Sequence, residues 1–110
     1  MIDALHGPGM AMLQLALDAA AMRHQAIAQN IANLNSTDYV PLRVDFEARL
    51  AALRRPTLVA EPGVAPGPRP QDVDQELLKL SQNAIHYQAL LRALGKQLVI
   101  FSDAIDGRRS

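Results

Sequence analysis

Three histidines and a short run of carboxylates are the residues of this 110-residue sequence best suited to catalysis or metal binding. His6, His24 and His86 could ligate a metal ion or move a proton near neutral pH. No two of them stand at i, i+4 spacing, so no helix face presents a pair. Asp72, Asp74 and Glu76 could act as paired carboxylates in acid–base chemistry. The same three residues also open a long apolar-periodic run, where acidic side chains cap a helix and complement its dipole. Capping accounts for all three. Arg54-Arg55 and Arg108-Arg109 could meet phosphate, but pairs without interleaved aromatics make no nucleic-acid surface. The absence of cysteine removes a thiolate nucleophile, a zinc knuckle and a disulfide scaffold. No G-x-S-x-G, H-E-x-x-H, Walker or dinucleotide fingerprint occurs. The expectation is a protein that is not an enzyme, with no catalytic, cofactor-binding or metal-ligating residue.

The elements that would position these residues are helices. From Met10, apolar residues recur at Leu13, Leu17, Ala20, His24, Ile27, Ile31 and Leu34 in alternating steps of three and four, a heptad seam. His24 on that seam reads as a hydrogen-bonded interface residue. Gly7-Pro8-Gly9 sets the start and Asn33-Leu34-Asn35-Ser36 the end, giving a helix over 10–35, about 38 Å long. A second seam runs through Val73, Leu77, Leu80, Ala84, Tyr87, Leu91, Leu94, Leu98, Phe101 and Ile105. Asp72 with Gln75 reads as its capping box and Gly107 as its C′ residue, giving a helix over 72–106, about 50 Å long.

The middle has another composition. Asp45 to Arg54 is expected to form a short amphipathic helix with Phe46, Leu50 and Leu53 on one face. Arg55 to Pro70 holds five prolines and two glycines, which predicts an extended or disordered linker. The fold class expected is all-α: two long helices paired as an antiparallel coiled coil, joined by a turn, a short helix and a proline-rich linker over 36–71. Leu13, Leu17, Ile27, Ile31, Leu80, Tyr87, Leu91, Leu94 and Leu98 are expected to hold the pair.

The faces away from the seam are not polar, as a water-exposed hairpin requires. Met12, Leu15, Ala19, Met22 and Ala26 form a second stripe on the first helix. Leu78, Ile85, Leu90, Val99 and Ile100 lie outside the seam of the second. Gly95 stands mid-helix, at a cost of about 1 kcal/mol relative to alanine. These features predict contacts with other subunits, carried by Met12, Leu15, Met22, Leu78, Ile85 and Val99. Eleven basic residues balance eleven acidic ones, so nothing draws the chain electrostatically onto nucleic acid or acidic lipid. No apolar run is long enough to span a bilayer, and the first residues lack the pattern of a cleaved signal. Eighteen alanines make up a third of the hydrophobic residues, so large core side chains are scarce.

The block Asn30-Ile31-Ala32-Asn33-Leu34-Asn35-Ser36-Thr37-Asp38-Tyr39 resembles the N-I-A-N-x-x-T-P-G-Y signature of bacterial flagellar rod and hook axial proteins. Val44-Asp45-Phe46-Glu47 with Leu50 is similar to the D-F-x-x-x-L continuation of the members that build the proximal rod. Val73-Asp74-Gln75-Glu76, Asn83, Tyr87-Gln88-Ala89, Leu94, Leu98 and Ala104-Ile105 resemble their C-terminal helix. The likeness covers both ends of the chain and spares the proline-rich stretch. It departs at Ser36-Thr37-Asp38, where the family has Thr-Pro-Gly. There Asp38 is expected to replace the glycine's left-handed backbone and Asn35 or Ser36 to cap through its side chain.

The resemblance implies a non-catalytic structural subunit of the periplasmic rod, exported without a cleaved signal by the flagellar type III apparatus. Its implied partners are copies of itself, other rod subunits and the adaptor joining the rod to the inner-membrane ring. Nucleic acid is not among them, and no part inserts directly into a membrane. Asn33, Asn35 and Tyr39 are then expected to shape the turn into the middle segment, which Phe46 and Leu50 dock. The alternative from another class is a cytosolic helical-hairpin adaptor or export chaperone.

Overall fold

A computed structural model describes residues 7–109, with side chains followed to residue 107; His6 and the side chains of Arg108 and Arg109 lie outside. Helix α1 spans Pro8–Ala32. Proline at its first position forfeits a donor that the helix start leaves unpaired anyway, and the Ala11 amide bonds the Gly7 carbonyl at 3.1 Å. Asn33 ends the helix by donating its side-chain amide to the Gln29 carbonyl at 2.9 Å, in competition with the next turn. The helix therefore stops short of the expected residue 35.

The middle segment is more ordered than its prolines suggest. Strand β1 (Leu42–Asp45) pairs antiparallel with strand β2 (Thr57–Ala60), Leu42 opposite Ala60 and Asp45 opposite Thr57. Leu42-Arg43-Val44-Asp45 alternates apolar and polar residues at the strand period, and Val44 is buried. Prolines 56 and 62 bracket β2 without entering it, so its four amides stay free to pair.

The expected helix over 45–54 shrinks to one turn, α2 (Glu47–Leu50), because Asp45 belongs to β1 and Leu53 takes a left-handed φ of 52°. Phe46 is buried and Leu50 half-buried, whereas Leu53 is exposed and off their face. A 3₁₀ turn, Pro70–Asp72, runs directly into helix α3, Val73–Arg109. Asp72 thus sits inside a turn begun by Pro70 and makes no side-chain cap bond, and Gly107 lies within the helix instead of ending it.

Helices α1 and α3 pack together, and α1 also carries the middle segment. Ala19, Ala26, Val44 and Phe46 form the buried cluster, with Leu15, Ala16, Met22, Leu42 and Leu50 against it. Leu15 and Met22, expected to face other subunits, are therefore covered by the chain's own β1 and α2. The α1–α3 seam is thin: Ala20 is fully buried, Met10 and Ile27 are buried, and Leu13, Leu17 and Ile31 are half-buried.

On α3 the seam is rotated by about one residue from the expected one. Glu76 and Asn83 are buried and Leu90 half-buried, in one heptad row; Leu80, Leu94 and Phe101 keep their expected places. Leu77, Leu91 and Leu98 are 49%, 44% and 48% exposed, and Tyr87 lies at the edge of the seam at 36%. Pattern reading assigned polar residues outward. Here a buried asparagine meets the α1 backbone at Ala20, and a buried glutamate lies beside Asn30, Tyr39 and Arg69.

Candidate functional site

Two features stand out: a polar joint where α1 meets the middle segment, and an apolar face on α3.

The joint is built on Asn30, which is 5% exposed. Its Oδ1 accepts from the Leu42 amide at 2.8 Å and from the Tyr39 hydroxyl at 2.6 Å. Its Nδ2 donates to the Leu42 carbonyl at 2.9 Å. One side-chain amide thus grips both polar groups of a backbone residue, as a neighbouring strand would, and fixes where β1 begins. Asn33 accepts from the Ser36 hydroxyl at 3.1 Å while donating to the Gln29 carbonyl. Asp38 does not take the left-handed conformation: Leu53 is the single non-glycine residue with positive φ among those described. Ala32 and Asn35 are exposed, Ile31 is half-buried on α1, and Asp45 is half-buried opposite Thr57.

The proline-rich return also docks at this joint. The Gly67 amide bonds the Tyr39 carbonyl at 3.2 Å, and the Arg69 amide the Leu34 carbonyl at 2.5 Å. Glu76 lies in the same pocket, its Oε1 accepting from Lys79 at 3.2 Å. Its Oε2 and the Arg69 Nε are buried without a hydrogen-bond partner. Burial first, and then the Glu76 charge, pushes the Tyr39 hydroxyl above the ordinary tyrosine range. Across α1, Arg23 pairs with Glu47. Burial disfavours the Glu47 charge, but the Arg23 hydrogen bond, a backbone amide and the charges of Arg23 and Arg43 outweigh it. The carboxyl sits below its usual range.

The apolar face runs along α3. Leu78, Ile85 and Val99 share one heptad position, with Arg92 at the place between, and are 58%, 66% and 58% exposed. Ile100 beside them is 57% exposed, and Met12 on α1 is 40% exposed. Of the expected interface residues, Met12, Leu78, Ile85 and Val99 are exposed, and Leu15 and Met22 are half-buried against the chain's own cluster. His24 is exposed instead of seated in the seam, and His86 lines a cleft. Among the described residues no cluster of His, Cys, Asp and Glu could hold a metal ion, and no helix is long and apolar enough to cross a membrane.

Neither a protein-family model nor a curated protein matches the chain.

Sequence reading missed the roles of Asn83, Glu76 and Arg69. Asn83 carried a signal: a lone asparagine inside an apolar heptad run is a register-setting device in helix pairs. Arg69 carried none, since the proline-rich context said only that the backbone is extended.

Proposed function

We propose that the chain is a non-catalytic structural subunit of the proximal rod of the bacterial flagellar basal body. It would pack with copies of itself and other rod subunits, join the inner-membrane ring through an adaptor, and reach the periplasm through the flagellar type III export apparatus.

The observation that carries this reading is the exposed row Leu78–Ile85–Val99 on a helix whose other face already holds the chain's own seam. Apolar side chains aligned over some 30 Å of helix are the mark of a protein–protein contact. Two further facts support it. Among the described residues no large side chain is fully buried, so they contribute little core of their own. The residues resembling the axial-protein signature, Asn30, Asn33 and Tyr39, make the hydrogen bonds that lock the turn. An antiparallel sense for the helix pair is supported by Asn83 meeting Ala20, with Glu76 lying near Asn30, ten residues further along α1. Torque would be carried by such apolar rows, because shear along them must break many contacts together.

The test is sedimentation and electron microscopy of the purified chain over a wide concentration range, with antibody detection in isolated basal bodies. Open-ended assembly that Ile85→Asp and Val99→Asp abolish, and presence in the rod fraction, are expected. A discrete folded dimer unaffected by both substitutions points to the adaptor or chaperone reading, and a strict monomer absent from basal bodies sinks the proposal.

A further inference from the structure

We infer that the basic cleft between α1, β1 and α3 receives the stretch of α3 from Val99 to Asp106 of a second copy of the chain. This rests on the assembly reading above and names the contact that makes it.

The cleft has a volume of about 380 Å³. Arg23, Arg43 and Lys79 stand around it with His86, over an apolar floor of Ile27 and Val44, and no carboxylate lines it. Arg23 is held by Glu47 and Lys79 by Glu76. Arg43 is exposed and donates no side-chain hydrogen bond among the described residues. The site therefore asks for a ligand that is anionic at one point and apolar at another.

The chain carries such a segment. Between Lys96 and Arg108, the nearest cations on either side, α3 holds two carboxylates, Asp103 and Asp106. Both are exposed and without an ion pair among the described residues. Val99 and Ile100, more than half exposed, precede Asp103 by four and three residues, so all three crowd one side of the helix. Apolar side chains would seat on Ile27 and Val44 while Asp103 reaches Arg43.

The contact cannot form within one chain. Gln82 at the cleft and Asp103 lie on one unbroken helix, separated by about 30 Å. The segment must come from another copy. Because the two patches differ, the contact is heterologous, and repeating it yields an open array in place of a closed dimer.

The chain has no cysteine, so introduced thiols report without background. Full-length chain bearing Gln82→Cys is mixed with chain bearing Ser102→Cys under mild oxidation. A disulfide-linked 82–102 species is expected to exceed both like-with-like species. Arg43→Glu in the first chain should lower its yield about tenfold, and Asp103→Arg in the second should restore it. Assemblies of the two cysteine variants, otherwise unaltered, in which no 82–102 disulfide forms, or a charge swap that fails to restore it, overturn the cleft contact and leave the assembly reading intact. A wild-type chain that stays monomeric at every concentration overturns both.

Discussion

The buried side-chain amide of Asn83 donates to the main-chain carbonyl of Ala20 at 2.8 Å, bridging α1 and α3 across 63 residues of sequence. Among the described residues it is the one side-chain hydrogen bond joining the two helices. It depends on Ala20, since any larger residue would hold the backbones apart. Within α1 the same carbonyl has its helical partner, so Asn83 adds a second bond to an acceptor with two lone pairs. Asn83→Ala should cost about 1 to 2 kcal/mol, through the lost bond and the gap left behind. Asn83→Leu should cost less, because it fills the space and strands no acceptor. Urea midpoints at unchanged m-value measure both.

Tyr39 ties the turn to Asn30, and its environment gives the joint a pH dependence. Because the folded-state pKa is raised, the tyrosine's contribution is complete below its unfolded pKa, about 10. It is lost as pH rises through the folded value, when a phenolate would have to lie near Glu76. Urea midpoints should thus fall more steeply between pH 9 and 11 in the wild type than in Tyr39→Phe. At pH 7, Tyr39→Phe should cost about 1 kcal/mol, since Asn30 still holds the Leu42 backbone. Asn30→Leu should cost more, about 2 to 3 kcal/mol, because it removes the partner of both part-buried polar groups of Leu42 and of the Tyr39 hydroxyl. Faster hydrogen exchange at the Leu42 amide would localise the effect.

The long helices were legible because their apolar period is continuous. The face of α3 that turns inward was not, because period alone does not say whether Glu76 and Asn83 find partners. Their partners are a lysine one turn on and a carbonyl exposed by an alanine, and neither follows from spacing. The middle segment failed for a different reason. Proline density described 55–70 as a whole, whereas the four-residue β2 fits between Pro56 and Pro62 and depends on a mate twelve or more residues earlier. Phe46 and Leu50 were legible as docking residues, but the surface that takes them, Leu15 and Met22 on α1, then ceased to be an outer face.

That reassignment is testable. Leu15→Asp and Met22→Asp each place a carboxylate against the Ala19–Ala26–Val44–Phe46 cluster. Each should destabilise the chain by about 1 to 2 kcal/mol, since a carboxylate replaces half-buried apolar contact with that cluster. Ile85→Asp, on the accessible face of α3, should change stability by no more than about 0.5 kcal/mol. Thermal melts followed by circular dichroism separate the two classes. Equal losses at Leu15 and Ile85 would show that the faces are assigned wrongly.

Gly95 offers the last discrimination. It lies inside α3, where glycine is worth about 1 kcal/mol less than alanine, and a Cβ built on it meets nothing within 4 Å. Within one chain, therefore, Gly95→Ala should be stabilising by about 0.5 to 1 kcal/mol, read as a higher melting temperature of the monomer at low concentration. If a neighbouring helix approaches the backbone at this point in the assembly, the same methyl group has no room there. Gly95→Ala should then raise the monomer's stability and weaken its self-association in one and the same sample. A rise in both would mean that the glycine serves no contact and that the assembly leaves this face of α3 open.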